Sequence, residues 1–266
     1  MKEVRAKKAL GQHFLNDPAI AARIAAAIAG PSLPEAARRC SDIPILEVGP
    51  GMGILSAFLL DSGRQVKAVE IDSESVTYLR RCLPALEVVE GDFLEMDLST
   101  LFPGEFALIG NYPYNISSQI FFKALDYRER IPVIAGMLQK EVAERICAAP
   151  GGRVRGILSV LLQAWYDCEY LFDVAAGKFT PPPKVTSGVL RLTRNSRTEL
   201  GCDERLFRTV VKTAFGQRRK TIRNSLASFQ LDPSRLADPE MLQLRPERLS
   251  VGQFIELTNA VAASKA

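Results

Sequence analysis

Residues 45–53 read Ile-Leu-Glu-Val-Gly-Pro-Gly-Met-Gly, and the interpretation of the whole chain turns on them. Residues 45–48 have strand character, three glycines follow within five residues, and residues 54–60 carry helical spacing up to Gly63. A strand that breaks over glycines into a helix opens a nucleotide-binding βα unit, because backbone without side chains can turn sharply and approach a ligand. The stretch is not G-x-G-x-x-G, and it lacks the Lys-Ser/Thr pair of a phosphate-binding Walker loop. Further strands are predicted at 66–69, 86–89, 106–109 and 133–138, alternating with helices at 116–125 and 141–148. That alternation predicts an α/β domain around a mostly parallel sheet. Asp17-Pro18 opens a helix ahead of it that Gly30 is expected to close. After Gly151-Gly152 come a helix at 157–165 and strands at 169–174 and 189–193, the last two read as an antiparallel edge hairpin. From about residue 196 only helical periodicity remains, at 204–215, 220–229 and 251–263. The expected division is therefore an α/β domain over 1–195 and a small all-helical domain over 196–266.

Composition narrows the chemistry. The 266 residues are 47% hydrophobic and 24% charged, with a formal net charge of +4, as for an ordinary globular protein. No apolar run reaches the ~18 residues needed to span a bilayer, and the basic start leads to Gly11-Gln12-His13-Phe14, so a cytoplasmic protein without membrane contact is expected. The five cysteines are scattered and form no Cys-x-x-Cys pair, and His13 is the single histidine, so no metal site is expected. Charge is uneven. Residues 41–130 hold 14 acidic and 7 basic side chains, whereas residues 205–223 hold 7 basic and no acidic ones. An acidic working domain beside a basic rim suits a polyanionic partner.

Carboxylates at successive strand ends sharpen the picture. Glu70 lies 21 residues after Gly49, where a carboxylate can accept both ribose hydroxyls. Asp92, past the third strand, is placed to accept from an adenine amino group. With Gly49 and Gly51 at the first turn, these describe an adenosine-containing ligand without a pyrophosphate. After the fourth strand stands Asn111-Tyr112-Pro113-Tyr114. The exocyclic amine of a base is a poor nucleophile because its lone pair is delocalised into the ring. Accepting its two hydrogens with the Asn111 amide oxygen and the Pro113 carbonyl favours a pyramidal nitrogen and aims the lone pair at an electrophile. Tyr114 can stack on a flipped base. Proximity and alignment then supply most of the rate, and no general base or metal is required.

These features resemble the class I S-adenosylmethionine-dependent amino-methyltransferases. More narrowly, residues 8–15 (KALGQHFL), 111–117 (NYPYNIS), 179–185 (FTPPPKV) and 215–226 (FGQRRKTIRNSL) resemble the ribosomal RNA adenine dimethyltransferase family. The resemblance implies a Rossmann-like, seven-stranded sheet and transfer of methyl groups from S-adenosylmethionine to N6 of two adjacent adenosines. Those adenosines lie in the 3′-terminal hairpin of small-subunit (16S) rRNA, within a pre-ribosomal 30S particle. By position it implies that His13 and Leu15 line the methionine side of the cofactor, with Gly49 at the turn, Glu70 on the ribose, Asp92 on the adenine and Asn111 between cofactor and target. Phe179 would form the second face of an aromatic clamp on the base. His13 stands where family members often carry Asn, and Tyr112 where they often carry Leu. Arg218, Arg219, Lys220 and Arg223, expected at a helix start, would meet RNA phosphates. A monomer is sufficient for this scheme. The rivals are a non-catalytic RNA-binding assembly factor and an enzyme acting on large-subunit rRNA or DNA. A nicotinamide-dependent oxidoreductase fits neither the glycine pattern nor Asn-Tyr-Pro-Tyr.

Overall fold

The computed structural model describes residues 4–29, 40 and 42–264. Gly30, expected to close the first helix, lies outside them. The chain divides into two compact units, Met1–Ala143 with Asp167–Asn195, and Glu144–Tyr166 with Ser196–Ala266. The expected boundary at 195/196 is one of three crossings. Residues 144–166, assigned by sequence to the α/β domain, belong with the helical unit.

The first unit is built on a seven-stranded sheet of order β4-β3-β2-β5-β6-β9-β7. Its strands are β2 (Ile45–Val48), β3 (Val66–Glu70), β4 (Glu87–Glu90), β5 (Ala107–Asn111), β6 (Val133–Gln139), β7 (Tyr166–Val174) and β9 (Ser187–Arg194). The pairs β2/β3, β2/β5, β3/β4 and β5/β6 are parallel, while β6/β9 is antiparallel. The late strands thus form the edge, with β9 inside and β7 outermost. All four residues of β2 are buried, as expected for a central parallel strand covered on both faces. Strand order reverses at β2, whose neighbours are β3 and β5. A crevice therefore opens beyond the carboxyl ends of these three strands, where Gly49, Glu70 and Asn111 stand.

Helix α1 (Pro18–Ala29) buries Ala21, Ile24, Ala25 and Ile28, the i, i+3, i+4, i+7 stripe of an amphipathic helix. Its first turn is capped by the Asp17 carboxylate, which accepts from Ala19 and Ile20 N–H at 3.0 and 3.2 Å. Helices α2 (Ile54–Leu60) and α3 (Ser73–Cys82) follow β2 and β3. Helix α4 (Ser117–Asp126) follows β5, and α5 (Lys140–Cys147) follows β6. Three of the α-helices and strands described in this unit lie outside the sequence expectations: α3, and β1 (Phe14–Leu15) with β8 (Phe179–Thr180), which pair antiparallel and join segments on opposite ends of this unit's chain. Two residues show too little alternation to be read as a strand, and their pairing is decided by packing.

In the second unit, α6 (Ile157–Gln163), α7 (Glu204–Gly216) and α9 (Val251–Ala263) surround a core in which Phe215 and Phe254 stack at 6.0 Å between centroids. Helix α7 buries Phe207, Val210, Val211 and Ala214, and α9 begins with a reciprocal Ser250–Gln253 capping box. The helix expected over 220–229 is instead the four-residue α8 (Ile222–Ser225) and a 3-10 turn at Ala227–Phe229, ended by Gln230 at φ 51°. Gln217-Arg218-Arg219-Lys220 consequently forms an exposed turn between α7 and α8, closed by Lys220 N–H to the Gln217 carbonyl at 2.8 Å.

Tyr112 is fully buried at the end of β5, its hydroxyl donating to the Ala135 carbonyl at 2.8 Å. Only glycine at 136 leaves room for that ring. Its φ is 151°, and a Cβ there would lie 2.3 Å from the Gly110 carbonyl oxygen and 2.5 Å from the ring. Gly136→Ala is expected to lower stability by about 3 kcal/mol, read as a reduced urea midpoint. An unchanged midpoint would show that β5 and β6 can separate without cost.

Candidate active site

A cleft lies over the carboxyl ends of β2, β3 and β5, walled by the glycine turn, Glu70, Asp92, residues 111–116 and residues 10–15. Gly49 and Gly51 have φ of 66° and 58°. A Cβ on Gly51 would meet the Phe14 ring at 2.9 Å, so the turn is glycine because a side chain presses on it. Glu70, buried at the end of β3, accepts from Gly51 N–H at 3.1 Å on one oxygen and from Asp72 N–H at 2.9 Å on the other. Burial raises its pKa above the usual carboxylate value, opposed by these backbone donors. Each oxygen keeps a lone pair for a hydroxyl. Asp92 accepts from Leu94 N–H at 2.8 Å, so one oxygen shapes its turn while the residue borders the cleft. Leu15 is buried and His13 half-buried, and both line the cleft.

Asn111, the last residue of β5, donates from Nδ2 to the His13 carbonyl at 2.9 Å. That carbonyl can only accept, which fixes the amide's orientation. Oδ1 has no hydrogen-bond partner among the described residues. Pro113 turns the chain, its carbonyl accepting from Ile116 N–H at 3.2 Å with one lone pair left over. The Tyr114 hydroxyl meets Ser187 Oγ at 2.5 Å, and its ring lies 5.5 Å from that of His13. Burial raises the Tyr114 pKa, with Ser187 opposing.

Phe179 departs from expectation. It is 3% exposed and packs in the core cluster with Leu15, Val174 and Val189, rather than lining the cleft. Alternation along β8 turns Phe179 inward and Thr180 outward, so the ring facing Tyr114 is that of His13. The basic residues Arg218, Arg219, Lys220 and Arg223 are all exposed, on the second unit.

Sequence reasoning gave no role to three further residues at the cleft. Ile71 is 49% exposed and apolar, beside Glu70, and its place next to a strand-end acid was the available signal. Gln12 contacts a partner 60 residues away, Asp72, which no local pattern reveals. Glu47 points from a central strand into the buried edge of the cleft, where Ser56 Oγ donates to it at 2.5 Å. An acid in an otherwise apolar central strand was its signal.

The lining includes the acidic side chains Glu70 and Asp92, the protonated Glu47, and neither lysine nor arginine. Such a donor set fits an adenosine-bearing cation such as S-adenosylmethionine and disfavours a phosphate-bearing cofactor. No helix among the described residues is long and apolar enough to cross a membrane, and no group of His, Cys, Asp and Glu among them could hold a metal.

Sheet order, switch-point cleft and strand-end residues together define a class I methyltransferase. The chain belongs to the family described as ribosomal RNA adenine dimethylase, which it matches over residues 3–259. It is 57% identical over 261 residues to ribosomal RNA small subunit methyltransferase A of Parabacteroides distasonis, covering 97% of this chain and 94% of the relative. The protein of the same name from Cytophaga hutchinsonii is 51% identical, covering 98% and 99%. Among solved structures, a dimethyladenosine transferase from Plasmodium falciparum superposes with a TM-score of 0.75 at 25% identity, covering 95% of this chain and 98% of that one. The 23S rRNA methyltransferase ErmE gives 0.69 at 28% identity, covering 94% and 99%.

Burial, with the Glu70 charge adding to it and the Ser56 bond opposing, pushes the Glu47 carboxyl up to about 8. The folded protein therefore holds a proton there that the unfolded chain releases near the ordinary value of 4.5, and stability from this group falls as pH rises from about 4.5 to 8. Glu47→Gln abolishes that titration. Its urea midpoint relative to the unsubstituted protein should climb steadily between pH 5 and about 8. A gap independent of pH would mean that Glu47 is already ionised.

Proposed function

We propose that this enzyme uses S-adenosylmethionine to dimethylate N6 of two adjacent adenosines in the 3′-terminal hairpin of small-subunit rRNA. It would act as a monomer in the cytoplasm on a pre-ribosomal 30S particle. The relatives' shared name supports the choice of subunit. The observation that carries the chemistry is the Asn111 to His13 hydrogen bond, which commits the amide nitrogen and leaves Oδ1 as an acceptor at the cleft.

Bound S-adenosylmethionine supplies a methyl group on a positively charged sulfur. Glu70 accepts the ribose hydroxyls, Asp92 takes the adenine amino group, and Gly49 and Gly51 let the backbone come close. His13 and Leu15 bound the methionine side. Asn111 Oδ1 and the Pro113 carbonyl accept the two N6 hydrogens of the target, turning its lone pair toward the methyl carbon. Tyr114, held by Ser187, offers a ring face to the flipped base. After transfer the surplus proton of the target amine would leave to solvent. The monomethylated amine still carries one hydrogen, so rotation in the same corner permits a second transfer. Phe179 enters this scheme as the packing that supports the corner. The helical unit contributes RNA affinity through Arg218, Arg219, Lys220 and Arg223.

Mapping adenine modification by mass spectrometry in rRNA from cells with and without the gene tests the reading. Loss of dimethyladenosine from 16S rRNA is expected. Loss from 23S rRNA instead would assign the enzyme to the large subunit, and no loss would favour a non-catalytic assembly factor.

Asn111→Ala should reduce kcat for transfer to undermethylated small subunits by about 10²–10³-fold, on the scale of removing one oriented polar group from a catalytic corner. Wild-type transfer by this variant would remove Asn111 from the mechanism. The Arg218→Ala, Arg219→Ala double variant should weaken RNA binding and lower the slope of log affinity against log salt by about 1–2, one for each lost phosphate contact. An unchanged slope would place the RNA on another surface.

A further inference from the structure

Residues 7–16 form a strap along one wall of the cleft. Its far end is stitched down repeatedly: β1 pairs with β8, Asn16 N–H donates to the Lys178 carbonyl at 2.8 Å, and Lys178 Nζ pairs with Asp17 at 2.7 Å. In its middle, His13 Nδ1 meets the Pro181 carbonyl at 2.7 Å, and the His13 carbonyl holds Asn111. The near end lines the cleft through Leu10, Gly11 and Gln12 and is held chiefly at Asp72, with the exposed Glu74 a further 3.8 Å partner of Lys7 Nζ. Asp72, buried after β3, receives Lys7 Nζ on one oxygen and Gln12 Nε2 at 3.4 Å on the other. Gln12 in turn accepts from the Lys7 N–H at 2.8 Å, so Lys7, Gln12 and Asp72 close a ring of three bonds.

We propose that Asp72 is a positioning residue for methyl transfer: by clasping Lys7 and Gln12 it holds the strap against the cofactor and, through the His13 carbonyl, keeps Asn111 aimed at the target amine. The inference rests on the methyltransferase reading of the cleft and adds a link between cofactor retention and assembly of the base-accepting corner. Burial pushes the Asp72 carboxyl up, but the bonds from Lys7, Ser75 and Gln12 outweigh it and hold it below the usual value, so the clasp operates as an ion pair. Asp72 also caps α3 by accepting from Glu74 N–H at 3.3 Å. Lys7→Met is therefore the cleaner test, since it opens the clasp and leaves the cap intact.

S-adenosylhomocysteine binding is measured by calorimetry and stopped-flow for the wild type, Lys7→Met, Asp72→Asn and the double variant. Transfer to undermethylated small subunits is measured at saturating cofactor, and the melting temperature without ligand. Lys7→Met should bind about fivefold more weakly through faster dissociation, lose a similar factor in kcat, and melt as the wild type does. Asp72→Asn should match it in affinity and kcat, and in these two readouts the double variant should be no worse than either single one. Wild-type affinity and kcat in Lys7→Met would overturn the proposal. So would losses that multiply in the double variant, or a lowered melting temperature with unchanged affinity. Failure of the wild type itself to bind S-adenosylhomocysteine would overturn the methyltransferase reading beneath it, a result distinct from the others.

Discussion

A carbonyl can only accept a hydrogen bond, and the His13 carbonyl spends that capacity on Asn111, 98 residues away. The orientation of the Asn111 amide, and with it the character of the corner at the end of β5, depends on this contact. The carbonyl is held from one side by the pairing of β1 with β8, the His13–Pro181 contact and the seat of Phe14 on the bare backbone of Gly51, and from the other by the strap that Asp72 clasps. The glycine turn, the two-residue strand and the asparagine are thus parts of one constraint. Loosening any of them changes what the cleft presents to a base.

The acidic lining follows from the same economy of groups. Glu70 spends two lone pairs on backbone donors and keeps the others for a ligand, while Asp92 shapes its turn with one oxygen. Cationic side chains are absent from the lining. A cofactor that is itself cationic can enter such a cleft, whereas a pyrophosphate would meet the carboxylates at the ends of β3 and β4. The exposed basic residues Arg218, Arg219, Lys220 and Arg223 lie on the second unit, where on the function proposed above they would meet RNA phosphates.

Much of this could be read from local pattern. Strand, three glycines and helix at residues 45–60 announce a nucleotide crevice because backbone conformation at a turn is a local property. Glu70, Asp92 and Asn111 follow at strand ends whose positions are set by the same periodicity. Local pattern is silent where a residue's fate depends on a distant partner. The family resemblance implied that Phe179 clamps the base, yet pairing of β8 with β1 sends it into the core. The basic stretch 217–220 suggested a helix start, but packing of the second unit ends α7 before it. Residues 144–166, two helical stretches lying between strands in the sequence, pack with the helical unit.

The sequence by itself determined the parallel sheet, the crevice at its switch point and the identity of the groups around it, because hydrophobic period, glycine and strand-end chemistry are written residue by residue. Tertiary structure alone decided which atoms of those groups remain available. The bond between Asn111 and His13, the Lys7–Gln12–Asp72 ring and the inward turn of Phe179 each join residues far apart in the chain. Which donors and lone pairs are taken is decided by the partner that packing brings near, and no local pattern records that partner.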